Sequence, residues 1–246
     1  MPTTTGKKIA IVTGSALGLG YELASQLIAN GWLVAGVDFN AERQAELTAQ
    51  WPDDSYRAYV GDITDEAFVK ESVADIATLG HIDLLINNAG QPSFKVPTAY
   101  EAADVDKCLQ GLKGMILWTV ETLKACGEQN VKIAQIMSTA ATRGNANESV
   151  YCATKAALDH HARAVQEDAT PGLRICALAP GVVDTPMQGE IRASTLERFP
   201  LRDRFAEMQA SGGLIAPAEC AMHLVDFLLD EDFGREPVAD LRELMG

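Results

Sequence analysis

Positive charge is scarce in this chain: 20 lysines and arginines stand against 34 aspartates and glutamates, for a net charge of −14. Such a surface repels phosphate backbones and anionic lipid heads, so nucleic acid and membrane are excluded as partners. No apolar run approaches roughly 18 residues, the length a membrane-crossing helix needs. The opening stretch from Met1 to Thr13 has two lysines but no apolar segment before a cleavage site. It reads as lacking an export leader, and the protein as cytoplasmic. Cysteine is sparse and unpatterned: Cys108, Cys126, Cys152, Cys176 and Cys220 are odd in number, widely spaced and without a CxxC pair. Reduced thiols follow, rather than a disulfide framework. The HExxH spacing is missing, and the adjacent His160 and His161 cannot share a helix face, so they read as solvated helix positions and no metal is expected. Repeats, low-complexity tracts and linkers are also absent. With 246 residues, 47% hydrophobic and 22% charged, the chain reads as a single domain over 1–246 whose core needs no metal or disulfide.

What is present is alternation. Short apolar runs at 9–13, 33–37, 56–60, 82–86, 133–137 and 173–178 have strand length, and a last short strand reads at 235–240. Between them lie stretches with helical spacing at 20–30, 41–50, 65–78, 98–126, 150–168 and 217–229, and an irregular helical stretch at 187–210. Parallel strands need crossovers, so the pattern predicts an α/β fold: one doubly wound parallel sheet of about seven strands with helices on both faces.

The first strand runs into Thr13-Gly14-Ser15-Ala16-Leu17-Gly18-Leu19-Gly20. A glycine-rich turn between strand and helix lets backbone N–H groups approach a pyrophosphate at the helix N-terminus, where a Cβ would hold the phosphate away. Asp38, at the end of the second strand, stands where a carboxylate accepts hydrogen bonds from an adenosine ribose. A 2′-phosphate beside that carboxylate would be repelled, and the nearest cation is Arg43, so NAD is expected rather than NADP.

Ser138 closes the fifth strand, and Tyr151 and Lys155 are spaced to share one helix face. Together with Thr13-Gly14-xxx-Gly18-x-Gly20, Asp62, Asn87-Asn88-Ala89-Gly90, Pro180-Gly181 and Thr185, this set resembles the short-chain dehydrogenase/reductase family over nearly the whole chain. The resemblance implies a Rossmann-type fold and a reaction in which hydride passes between a nicotinamide and an alcohol/ketone carbon. It implies that Tyr151 is the acid/base, that Ser138 orients the substrate oxygen, and that Lys155 holds the nicotinamide ribose. The implied cofactor-binding set adds to the turn residues (Gly14, Ser15, Leu17, Gly18, Leu19 and Gly20) the pair Asp38 and Phe39. Asp62 and Ile63 would flank the adenine, with Asn88, Ala89 and Gly90 beneath the cofactor. Pro180, Gly181 and Val183 would lie beside it, and Thr185 would bond the nicotinamide amide. A free tyrosine ionises near 10, and one cation about 5 Å away at an effective dielectric of ~20 supplies about 3 kcal/mol, so Lys155 is expected to pull the phenol down.

The family's usual fourth catalytic residue, an Asn in Asn-Leu-x-Gly, is replaced here by Gly111-Leu112-Lys113-Gly114. Activity is expected to survive with an altered proton supply. Cys152 reads as a packing residue; Met187, Ile191, Leu196 and Phe199 are candidates to line a substrate lid over about 186–213. The run from Pro180 to Gln188 also resembles the branch with sepiapterin reductase and bacterial benzil reductase. The leading expectation is an NAD(H)-dependent enzyme acting on a secondary alcohol/ketone pair. The alternatives are an NADPH-dependent diketone or pterin reductase and a catalytically idle dinucleotide-binding protein. A homodimer or homotetramer is expected, with the helices at 98–126 and 150–168 available for pairing.

Overall fold

The computed structural model describes residues 6–245, so the first five residues of the opening stretch, on which the leader expectation partly rests, lie outside the described residues. Seven parallel strands form one sheet in the order β3-β2-β1-β4-β5-β6-β7. They are β1 (Ile9–Thr13), β2 (Leu33–Asp38), β3 (Tyr56–Val60), β4 (Ile82–Asn87), β5 (Val131–Ile136), β6 (Leu173–Ala179) and β7 (Val238–Asp240). The helices between them are α1 (Gly18–Ala29), α2 (Ala41–Gln50), α3 (Glu66–Leu79), α4 (Ala102–Cys126), α5 (Ser149–Glu167), α6 (Pro186–Ala193), α7 (Arg202–Ala210), α8 (Pro217–Leu229) and the short α9 (Leu241–Leu244). The doubly wound parallel sheet read from the alternation is the observed architecture.

The central strands are largely apolar and largely buried because both sheet faces are covered. All five residues of β1 are buried. On one face their neighbours meet Leu23 and Leu27 of α1, Leu47 of α2, and Leu224 and Leu228 of α8. On the other they meet Val69 and Ile76 of α3, Trp118 of α4 and Ala162 of α5. Each fully buried side chain of this kind contributes about 1.5–3 kcal/mol, enough to hold the strand ends in fixed positions.

Three boundaries differ from the sequence reading. The helix placed at 98–126 starts at Ala102, where Glu101 and Asp104 form a reciprocal capping box; residues 97–99 make a separate turn led by Pro97. The stretch at 187–210 resolves into α6 and α7, split at 194–201 by a segment in which Ser194 and its neighbours leave the helix. The last strand covers only Val238–Asp240, since Pro237 has no N–H to extend the ladder and serves only as acceptor for the Ala177 N–H.

Candidate active site

The strand order reverses between β1 and β4, and the carboxyl ends of strands flanking such a switch open a crevice. There lies a cavity of about 570 Å³ that runs from Asp38 and Phe39, past the glycine turn, to Ser138, Tyr151, Lys155 and the start of α6.

The crevice floor is a tie between the first and fourth strands. The Thr13 hydroxyl accepts from the N–H groups of Asn88 (3.0 Å) and Ala89 (3.1 Å), while the Asn88 amide donates to the carbonyls of Thr13 (3.0 Å) and Gly14 (3.3 Å). Gly14 stands at φ +68°, and a Cβ there would come within 3.0 Å of Ala89 Cα. Gly20 brings α1 against the turn so closely that a Cβ would lie 2.0 Å from the Gly14 carbonyl oxygen. The residue before α1, Leu17, offers no side-chain cap, so the first N–H groups of the helix are left for a ligand.

Gly14, Leu17, Gly18, Leu19, Asp38, Phe39, Asp62, Ile63, Asn88, Ala89, Gly90, Pro180, Gly181, Val183 and Thr185 all line the cavity. Ser15 and Gly20 do not. Ser15 is fully buried, its hydroxyl held between Tyr56 Oη (3.1 Å) and the Gln44 amide (2.9 Å), and its N–H donates to the Val37 carbonyl (3.2 Å). Ser15 therefore anchors the turn from below.

Asp38 is fixed by its own backbone surroundings: one carboxylate oxygen accepts from Ala16 N–H (3.1 Å), the other from Asn40 N–H (3.0 Å). Arg43 is drawn aside. Its Nε donates to the Ala16 carbonyl (3.2 Å), its guanidinium pairs with Glu46 (2.5 Å), and it lies 5.4 Å from the Tyr21 ring centroid. A cation so engaged does not present itself to the cavity beside Asp38. An uncapped helix start over a glycine floor, with a carboxylate at one end, fits a dinucleotide: phosphates at the N–H groups, a ribose at Asp38.

At the opposite wall Ser138 caps a short turn, accepting from Ala140 N–H at 3.2 Å, which leaves its O–H free to donate. Lys155 is almost fully buried; its Nζ donates to the Ile136 carbonyl at 3.0 Å and sits 5.7 Å from the Tyr151 ring centroid. Burial lowers the Lys155 ammonium to about 8. The Tyr151 phenol moves opposite to the sequence expectation: burial pushes it up to about 12, the Ser138 hydroxyl partly offsets this, and the Glu148 carboxylate adds to it. Burial disfavours the charged phenolate by more than the Ser138 hydroxyl favours it.

The remaining candidates separate. His161 is half-buried, with Nδ1 2.9 Å from the Gln135 amide, rather than solvated; His160 is exposed. Cys152 lies outside the cavity, 3.7 Å from the Arg143 carbonyl. Of the lid candidates, Met187 lines the cavity, Ile191 and Phe199 are buried with Phe94, and Leu196 is exposed. Sequence reasoning missed Lys107, Cys108 and Gln110 on α4 and Gln188 on α6, all cavity residues. Their signal was weak: Lys107 and Gly111 are one helical turn apart, but nothing in the sequence says which way α4 faces.

Comparison with known proteins places these features in context. The pattern of the family described as short chain dehydrogenase matches residues 8–196. A diacetyl reductase, (S)-acetoin forming, of Staphylococcus aureus is 30% identical over 244 residues, covering 93% of each chain. Levodione reductase of Leifsonia aquatica is 34% identical over 196 residues, 76% of this chain and 73% of the relative. Among solved structures, the KRED1-Pglu enzyme superimposes with a TM-score of 0.87 over 95% of this chain and 100% of that one, at 23% identity, a likeness of fold.

Proposed function

The chain belongs to the short-chain dehydrogenase family and is an NAD(P)-dependent oxidoreductase, and from that premise we propose that it interconverts a secondary alcohol and a ketone using NAD(H), with Tyr151 as the acid/base. The observation that carries this reading is the joining of Ser138, Tyr151 and Lys155 in the same cavity that ends at Asp38.

The nicotinamide, when bound, supplies or accepts the hydride at the reacting carbon. The protein's own groups manage the oxygen. The Tyr151 phenol, pushed up to about 12, holds its proton at neutral pH and is the acid that carbonyl reduction needs. Ser138, its O–H free, donates to the same oxygen and fixes it beside Tyr151 Oη. Lys155 is the ribose ligand, Thr185 the amide ligand, and Asp62, Ile63 and the glycine turn take the adenine and phosphates. Asp38 selects NAD over NADP by like-charge repulsion, with Arg43 engaged elsewhere. The segment over about 186–213 is the substrate lid, and α4, which exposes Leu109 and Val120, is a dimer face. Five unpaired thiols suit a reducing cytoplasm.

A diketone substrate is the second reading of the pocket, favoured by the diacetyl reductase relative. Fluorescence titration tests the cofactor half: NADH is expected to bind about tenfold or more tightly than NADPH, a difference of ~1.4 kcal/mol, and Asp38→Ser is expected to narrow it. Tighter binding of NADPH by the native chain overturns the reading of Asp38. A panel of ketones and secondary alcohols tests the chemistry, and cofactor binding without turnover on any of them would leave only an idle dinucleotide-binding protein.

A further inference from the structure

Among the described residues, two other than glycine hold a left-handed backbone, Asn147 at φ +63° and Ala169 at φ +48°. Ala169 follows the end of α5, where such a turn closes a helix. Asn147 lies before α5, close to Tyr151 in sequence, and its shape serves three segments at once. The Asn147 carbonyl accepts from the Lys95 N–H at 2.9 Å, and its side-chain Nδ2 donates to the carbonyls of Glu197 (2.9 Å) and Arg198 (3.1 Å). A second tie lies beside it: Arg198 Nε donates to the Phe94 carbonyl at 3.3 Å, and the rings of Phe94 and Phe199 meet with centroids 4.9 Å apart. The three segments are the loop that leaves β4, the loop that enters α5 and the connection between α6 and α7. Their roots line the cavity: Gly90 and Gln91 on the first, Ser138 and Tyr151 on either side of the second, and Met187 ahead of the third. Glycine, asparagine and aspartate enter the left-handed region readily and most other side chains do not. Of the three, only asparagine carries an amide that can donate. Both amide bonds are exposed to water, and bonds of that kind are weak enough to break and re-form in each turnover.

We propose that Asn147 is a positioning residue that latches the substrate lid: its side-chain amide holds the 194–201 segment against the loops at Phe94 and ahead of Tyr151. This rests on the reading above, in which the segment over about 186–213 covers an alcohol/ketone site. Substrate is bound by the closed form, so the apparent KM is the intrinsic value divided by the fraction of molecules closed. Once substrate has closed the lid, the reacting groups meet as before. Loss of the latch therefore leaves kcat in place, or raises it where lid opening limits product release.

The test compares the native chain with Asn147→Gly and Asn147→Asp, both of which keep the left-handed backbone and lose the amide donor. KM and kcat are measured for the ketone of the panel turned over fastest, diacetyl included, using the nicotinamide bound more tightly. Cofactor affinity, thermal midpoint and amide exchange are read on the same proteins. In both variants KM is expected to rise about tenfold, ~1.4 kcal/mol, with kcat kept or raised and cofactor affinity unchanged. Amides at 194–201 are expected to exchange faster while those of β1 stay as protected as before. An unchanged KM, or unchanged exchange at 194–201, overturns the proposal. So does a fall in kcat at constant KM, which would make Asn147 a support for Tyr151 alone. A KM that rises in Asn147→Gly but not in Asn147→Asp overturns it too, since the effect would then be one of backbone freedom. A lowered midpoint with β1 protection lost in step would reduce Asn147 to a structural part and likewise overturn it. In each of these cases the alcohol/ketone reading stands. A native chain inert toward every ketone and secondary alcohol of the panel, with either nicotinamide, overturns that reading and the proposal together.

Discussion

The two ends of the cleft are built on different principles. At the β1–β4 end the side chains of Thr13, Ser15, Asp38 and Asn88 all have hydrogen-bond partners, most of them backbone groups, and the strands beneath are fully buried. At the α6–α7 end the packing rests on a cluster of three buried residues, Phe94, Ile191 and Phe199, and α7 buries no residue fully. Gln188 and Arg192 keep polar atoms without partners there, as the Asn87 Oδ1 does at the end of β4. A dinucleotide presents the same groups at every turnover, so a rigid floor costs nothing in adaptability. A substrate must enter and leave, which a thinly packed segment allows. The difference teaches that affinity for the common ligand is stored in backbone geometry, and choice of the variable one in a thinly packed segment.

The largest expected effect comes from Tyr151, where the two ends meet. Tyr151→Phe removes the hydroxyl proposed as proton donor while keeping the ring over Lys155; kcat is expected to fall about 10²–10⁴-fold, with NADH affinity little changed by titration. A loss of cofactor affinity matching the loss of rate would place Tyr151 in the rigid half and break the division of labour.

The second effect is one of stability. Lys155 ordinarily ionises at 10.5 and is lowered by burial to about 8 in the folded chain. The folded form thus binds fewer protons than the unfolded form between these values, so folding is penalised below pH 8 and the penalty is relieved as pH rises toward 10.5. Its ceiling is about 3 kcal/mol at 1.36 per pH unit. Tyr151, raised to about 12, acts in the opposite sense only above pH 10. The buried thiols of Cys126, Cys176 and Cys220, raised from 9.0 by burial, also act in the opposite sense as pH rises through 9. The Lys155 contribution is therefore read against Lys155→Met: in urea unfolding between pH 7 and pH 9.5 the ligand-free native chain is expected to gain stability relative to the variant. The same change with pH in both proteins would show that Lys155 is solvated.

The third prediction weighs the two cores directly. Ile11→Ala, in the buried sheet, is expected to lower global stability by about 2–5 kcal/mol. Phe199→Ala removes a larger side chain, yet its cost is expected to appear mainly as local opening of 194–210, read by amide exchange, with a smaller shift in the global midpoint. A midpoint drop as large as that of Ile11→Ala would mean that the segment folds as one unit with the sheet.

The same contrast explains what was legible beforehand. Strands such as Ile9–Thr13 announce themselves because burial on both faces demands an unbroken apolar run. The turn at Gly14 was legible because its close approach to Ala89 tolerates no side chain. The sign of the Tyr151 shift was not, because it depends on how deeply the fold buries the phenol, which spacing along the chain does not record. Gln188 was invisible for a related reason: an unfilled acceptor is defined by partners that are missing, and spacing records only residues that are there.

The smallest expected effect is at Gly111, where the resemblance to the family fails. Gly111 lines the cavity within α4, which runs unbroken as an α-helix from Ala102 to Cys126. A Cβ at this position would meet nothing within 4 Å, so an asparagine side chain has space to enter. Asparagine is also a slightly better helix former than glycine, by a few tenths of a kcal/mol, so Gly111→Asn is expected to fold at least as stably. If proton supply to Tyr151 limits the native enzyme, an amide here gives water a second anchor near the phenol, and turnover is expected to change by a few-fold with a displaced alkaline limb of the pH–rate profile. An unchanged profile and unchanged turnover would show that position 111 has no relay role. The thin, adaptable character of the site would then stop at α6 and not extend along α4.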